Sequence, residues 1–188
     1  MNDLSPGFTS VLDAQACFRA LLSAFSTPAS IVSLPVPLTA PPGLSPACAA
    51  VLLTLTDAQT KVALPEDHPA QDWLTFHSGA PLVEASEAEF CVATTRPPLA
   101  TLRQGSDEAP EDGAMLILDL PSLEENAIRL RLSGPGLKAT VTVALPLDAR
   151  FLAEWRAQAR IAPRGVDVLL CADARILALP RSLNIEEG

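Results

Sequence analysis

This chain predicts an α/β fold, a three-layer mixed sheet with helices on both faces, and three observations carry the prediction. Apolar segments of strand length alternate with segments of helical period through the first two thirds of the chain. Eighteen prolines and nine glycines punctuate the boundaries, and the apolar content is aliphatic, dominated by Leu, Ala and Val. At 188 residues the chain is of single-domain size, 1–188, and such a domain buries roughly 70% of the surface its unfolded chain exposes.

The elements follow in order. "TSVLDAQACFRALLSAFSTP" puts Val11, Phe18, Leu22 and Phe25 on one helical stripe, with Ser10 and Asp13 as a capping-box variant and Pro28 as the stop. "SIVSLP" reads as a short strand. "LSPACAAVLLTLTD" is a helix with Ser45 as N-cap and Pro46 at the first position, apolar nearly all round and hence buried. "TKVALP" is a strand, and Pro69 and Gly79 bracket a helix carrying Trp73 and Phe76. "AEFCVATT" is a strand, "PPLATLRQG" a short helix stopped by Gly105, and "AMLILDL" a fully buried strand.

Beyond that point the pattern becomes antiparallel. Ile128, Leu130 and Leu132 alternate with Arg129, Arg131 and Ser133, and Val141, Val143 and Leu145 repeat the alternation. Gly134-Pro135-Gly136-Leu137 between them has the chemistry of a type II turn. A phosphate loop would need its glycines to open a helix, whereas these lead into β-branched residues, so a hairpin turn is favoured over an anion cradle. "LPLDARFLAEWRAQARIAPRG" is a helix capped by Asp148 with Phe151, Leu152, Trp155 and Ala159 on one face. "GVDVLLC" and "RILALP" close the chain as two strands around Ala172-Asp173-Ala174, and the acidic "SDEAPEDG" reads as a solvated connection.

Composition excludes several classes of function. A formal charge of −9 with no Lys/Arg cluster and no Tyr argues against nucleic acid as a partner. The start shows no basic run followed by an apolar core, and nowhere do about 18 apolar residues run unbroken, so no membrane segment is expected and the cytoplasm is the expected compartment. Cys17, Cys48, Cys91 and Cys171 form no metal or redox spacing and read as buried hydrophobes. His68 and His77 lie at opposite ends of one helix, which gives no zinc face, and His68 reads as part of the helix cap. No nucleophile elbow, P-loop or dinucleotide fingerprint occurs. Lys61 and Lys138 lack the company a pyridoxal phosphate lysine would need.

Asp57, Asp67, Asp72, Asp148 and Asp173 occupy cap or turn positions. Asp167, inside the apolar "GVDVLLC", is different: an ionised carboxylate there needs a cation or several donors, and Arg181 is the cation that the two-strand closure brings near.

Six segments together resemble one family. They are "AQACFRALLSAFSTPA", "PPGLSPACAAVLLTLTDAQTKV", "WLTFHSGAP", "LSGPGL", "PRGVDVLL" and "ALPRS", collinear over nearly the whole chain, and they resemble the PhnH family of the bacterial carbon-phosphorus lyase core complex. Three positions depart from that pattern. Ala29 stands where the family usually has Gly, which argues against a positive-φ turn there; Arg164 replaces an apolar residue, and Ser182 a Thr.

The resemblance implies a fold like the large domain of pyridoxal phosphate-dependent transferases but without the cofactor, and no cofactor or metal is expected. It implies a homodimer that docks with sister subunits PhnG, PhnI and PhnJ. In that complex PhnI, helped by PhnG, PhnH and PhnL, joins an alkylphosphonate to ribose C1 of ATP with release of adenine, before PhnJ breaks the carbon–phosphorus bond. An accessory or assembly subunit is the leading expectation. The alternative is an independent small-molecule enzyme or a phosphate or phosphonate binder, with Arg19, Ser133, Gly134, Gly136, Asp167 and Arg181 around the pocket.

Overall fold

The computed structural model describes residues 4–35 and 38–188. In chain order the elements are α1 (Val11–Ser26), β1 (Val32–Ser33), α2 (Pro46–Leu55), β2 (Val62–Ala63), α3 (Gln71–Ser78), β3 (Phe90–Ala93), β4 (Met115–Asp119), β5 (Ile128–Ser133), β6 (Val141–Leu145), α4 (Ala149–Ala159), β7 (Asp167–Ala172), β8 (Arg175–Leu179) and β9 (Asn184–Glu187). Single 3-10 turns occur at Leu99–Thr101 and Pro110–Asp112.

A six-stranded mixed sheet runs β1-β8-β7-β4-β3-β2. β2, β3, β4 and β7 are parallel neighbours, and β8 and β1 add on antiparallel. Because side chains alternate across a strand, the sheet feeds two cores. Leu116, Leu118, Val168, Leu170, Leu177 and Leu179 join one. Ile117, Leu169, Cys171, Ile176 and Ala178 join the other, under α1, α2 and α3. β4 and β7 are therefore apolar at nearly every position, as a doubly covered parallel strand must be.

The α/β arrangement is as the sequence predicts, with one correction to the layers. The second face is covered by α4 together with a separate antiparallel sheet, β6-β5-β9, rather than by helices alone. β5 pairs β6 in the predicted hairpin, Leu132 opposite Val141. Leu137 N–H donates to Gly134 O at 3.1 Å and Gly136 has φ +85°, the hydrogen bond and left-handed third residue of a type II turn. β9 pairs the other edge of β5, Ser133 opposite Asn184. The sequence stops at two closing strands because "NIEE" carries a single apolar residue, Ile185, and its pairing is entirely non-local.

Two helices bury positions that their apolar stripes do not mark. In α1 the buried residues are Cys17, Leu21 and Ala24, while Val11, Phe18 and Leu22 of the apolar stripe are open to water. Small Cys and Ala let α1 approach α2 and β8 closely, a signal that hydrophobicity alone outweighs. In α4 the fourth buried position is Gln158, not the exposed Ala159. Its amide mimics a strand: Nε2 donates to Val166 O at 3.2 Å and Oε1 accepts from Val166 N–H at 3.0 Å.

The caps form as predicted at α1, α2 and α4. Ser10 and Asp13 make a reciprocal capping box, and Ser45 and Asp148 accept from Cys48 and Phe151 N–H. α3 starts two residues after Pro69, where His68 Nδ1 accepts from Ala70 N–H at 3.2 Å, and it ends on left-handed Gly79. "PPLATLRQG" tightens to one 3-10 turn that ends before Gly105. The acidic loop is pinned as well as solvated: Arg103 pairs with Asp112 at 2.9 Å, and Arg164 Nε lies 3.0 Å from Asp107, an off-line charge contact rather than a directed hydrogen bond.

Ala29 reverses its expectation. It has φ +66°, so the turn after α1 is left-handed despite the Cβ. Asp67 and Asp173 are also left-handed, at φ +55° and +51°, in keeping with their turn roles.

Candidate functional site

Asp167 and Arg181 come together as the closing strands predict. Asp167 opens β7 beside the end of β8; its Oδ1 accepts from Arg181 N–H at 2.7 Å and its Oδ2 lies 3.8 Å from Arg181 Nη1. Nη1 also donates to Gly165 O at 2.9 Å. A side chain at Gly113 would overlap both that carbonyl and Nη1, so the guanidinium reaches its partners only because Gly113 lacks one. The pair is partly buried, and each charge is met inside the chain.

Ser133 and Gly134 lie nearby, at the end of β5. A Cβ on Gly134 would sit 3.1 Å from Ser182 O, so the glycine admits the strand that follows Arg181. Gly136 belongs elsewhere: a Cβ there would stand 2.6 Å from Pro28 Cδ, so the hairpin tip is seated against the exit of α1. Arg19 is exposed on α1 and makes no ion pair or side-chain hydrogen bond among the described residues. The structure thus gathers Asp167 and Arg181, sets Ser133 and Gly134 beside the following strand, and gives Gly136 and Arg19 separate surroundings.

Two cavities are acidic. One of about 340 Å³ lies at the N-terminal ends of the parallel strands and is lined by Glu89, Glu111, Asp112 and Asp167. A larger one of about 830 Å³, beside the edge strand β2, carries Glu66, Glu84 and Glu87 and no Lys or Arg. Such walls repel a phosphate group. Lys61 and Lys138 are both exposed and line neither cavity, so these residues do not fit a Schiff-base site for pyridoxal phosphate. His77 Nε2 lies 3.0 Å from Ser5 O and His68 Nε2 3.2 Å from Gly43 O, so both rings have local partners. Among the described residues no three His, Cys, Asp or Glu side chains are grouped to hold a metal.

Two polar clusters escape the sequence reading. Asp119 ends β4 almost fully buried; its Oδ2 accepts from Ser45 N–H at 2.8 Å, and Oδ1 has no partner among the described residues. Burial pushes its carboxyl above the usual range, and the Ser45 hydrogen bonds offset part of that. A carboxylate closing a segment read as fully buried was the available signal. Glu154, on α4, accepts from Leu99 N–H at 2.8 Å and from Arg96 Nη1 at 2.6 Å. Burial pushes Glu154 up, but Leu99 N–H and Arg96 outweigh it and hold the carboxyl below its usual range. Arg96 also covers the Phe151 ring at 5.4 Å, which joins the loop after β3 to α4.

The four thiols are free and buried, as expected. Contact with Cys171 and burial drive Cys48 well above the ordinary thiol value, and burial pushes Cys91 up to about 11. Neither is an activated nucleophile.

Comparison with known proteins agrees with the collinear motifs. The family model described as bacterial phosphonate metabolism protein (PhnH) matches residues 6–186. The subunit PhnH of alpha-D-ribose 1-methylphosphonate 5-triphosphate synthase from Rhizobium meliloti is 32% identical over 184 residues, covering 94% of this chain and 92% of the relative. A putative C-P lyase subunit protein, HtxG of Stutzerimonas stutzeri, is 32% identical over 176 residues, covering 91% and 85%. With the match running through both sheets and all four helices, the chain belongs to the PhnH family.

Proposed function

We propose that this protein is an assembly subunit of a carbon-phosphorus lyase complex, supporting transfer of an alkylphosphonate to ribose C1 of ATP with release of adenine before the carbon–phosphorus bond is cleaved. The observation that carries the reading is the family match over residues 6–186, with a relative of nearly equal extent that is named as a subunit of the ribose 1-methylphosphonate 5-triphosphate synthase. The site geometry supports a non-catalytic or co-catalytic part. Asp167 and Arg181 answer each other's charge, two cavities are lined by carboxylates, and burial raises the Cys91 thiol.

The reading includes a homodimer, docking with PhnG, PhnI and PhnJ, and a cytoplasmic location. Four unpaired, buried thiols suit a reducing compartment. Among the described residues no helix is long and apolar enough to cross a membrane. Adenine release from ATP and methylphosphonate is the direct test: the chain alone should yield none, and the reconstituted set of subunits should yield it. Turnover by the isolated chain would refute the reading in favour of an independent enzyme.

A further inference from the structure

α1 carries apolar side chains on two faces, and the chain itself uses one. Cys17, Leu21 and Ala24 pack inward against α2 and β8. On the outward arc Val11 is 85% exposed, Leu12 71%, Phe18 45% and Leu22 52%. Val11, Phe18 and Leu22 follow the i, i+7, i+11 spacing of a single stripe, and the i+4 position between them is the exposed amide Gln15. These four apolar side chains are most of the exposed large apolar residues among those described; the others are Ile31, Phe76 and Leu82.

Residues 5–7 of the same chain go elsewhere. Ser5 O accepts from Trp73 Nε1 at 2.7 Å, and Gly7 lies against His77 and Leu53, so residues 5–7 follow α3 and α2. Exposed apolar side chains gathered on one side of a fold and bordered by polar ones mark an interaction surface.

Arg19 specifies the chemistry of what covers this surface. It projects from the same outward arc, one turn from Gln15 and from Leu22, exposed and without an acidic partner among the described residues. A second copy packed symmetrically on α1 would set the two Arg19 side chains near each other in a largely apolar contact, a like-charge arrangement that disfavours self-association. An apolar surface with one carboxylate would instead cover the stripe and neutralise the guanidinium, the arrangement of an interface whose Arg is an anchor. Gln15 can both donate and accept, so it fits at the polar margin of such a contact.

We propose that the outward face of α1 docks an apolar helix of another subunit that carries a carboxylate opposite Arg19. This rests on the assembly reading above and names the surface through which it acts. At 1.5 Å per residue the 16-residue helix offers a track of about 24 Å, the length of a helix-on-helix contact.

The test is capture of the full-length chain by the other subunits of the complex, coexpressed. Phe18→Asp combined with Leu22→Asp should weaken capture by about 100-fold, and Arg19→Glu by about tenfold, with Arg19→Lys in between. Unfolding midpoints should stay near that of the wild type, because these side chains are solvated in the free chain. In the complex, hydrogen exchange should slow in peptides covering residues 11–26. Wild-type capture with unaffected variants would overturn this proposal alone, as would variants that turn a wild-type dimer into monomers. Failure of the wild type to be captured would refute the assembly reading, and the proposal with it.

Discussion

Asp119 and Asp167 are both carboxylates in apolar strands, and they show how far a single residue can be read. Asp167 is legible because an ionised group inside "GVDVLLC" demands a partner, and Arg181 follows the next strand at hairpin distance. Asp119 poses the same demand, but its donor is the backbone of Ser45, 74 positions earlier, and no local pattern announces that contact. Burial raises its carboxyl above the unfolded value, so at pH between the two values the native state holds a proton that the unfolded chain has released. Stability contributed by protonated Asp119 is full below the unfolded value of about 3.9 and is lost as pH rises through the raised native value. Asp119→Asn should therefore gain stability relative to the wild type from about pH 4 to 7 in urea unfolding; a difference that stays constant with pH would count against it.

At the level of elements, caps and turns were readable and helix orientation was less so. Ser10, Ser45, Asp148 and the Gly-Pro-Gly turn work within a few residues of themselves, so local chemistry defines them. The face of α1 does not follow from local chemistry. Its most hydrophobic stripe points to water, because the small residues on the opposite side permit closer packing on α2. The turn that ends α1 is similar: the hairpin tip at Gly136 and the chain at Pro28 meet there, and Ala29 is held left-handed although its Cβ disfavours it. Ala29→Gly should stabilise the fold by about 1 kcal/mol, since relief of the left-handed strain exceeds the added flexibility of the unfolded chain. Thermal unfolding should show a rise of roughly 2–4 °C, and a fall would contradict the strain.

Across the whole molecule, one sheet separates two cores, and each strand of its centre contributes side chains to both. We propose on that basis that residues 1–188 behave as one domain. Near-UV and far-UV circular dichroism should then lose signal in a single coincident transition, whereas two separated transitions would divide the chain. Charge is also distributed by layer. Between Leu120 and Gly165, the stretch that builds β5, β6 and α4, seven basic residues (Arg129, Arg131, Lys138, Arg150, Arg156, Arg160 and Arg164) outnumber the four acids Glu124, Glu125, Asp148 and Glu154. The rest of the chain, where the two acidic cavities lie, holds 6 basic and 18 acidic residues and so accounts for all of the negative charge.

The sequence by itself determined the alternation of strands and helices, most of their termini, the hairpin and the family, because periodicity, caps and turn chemistry act over a few residues. Tertiary structure alone decided which face of α1 is buried, that a second sheet with β9 covers one side, that Asp119 meets Ser45, and that Arg19 and Gly136 stand apart from Asp167 and Arg181. Those outcomes depend on which distant surfaces fit together, and steric fit between segments far apart in the chain has no local periodicity to record it.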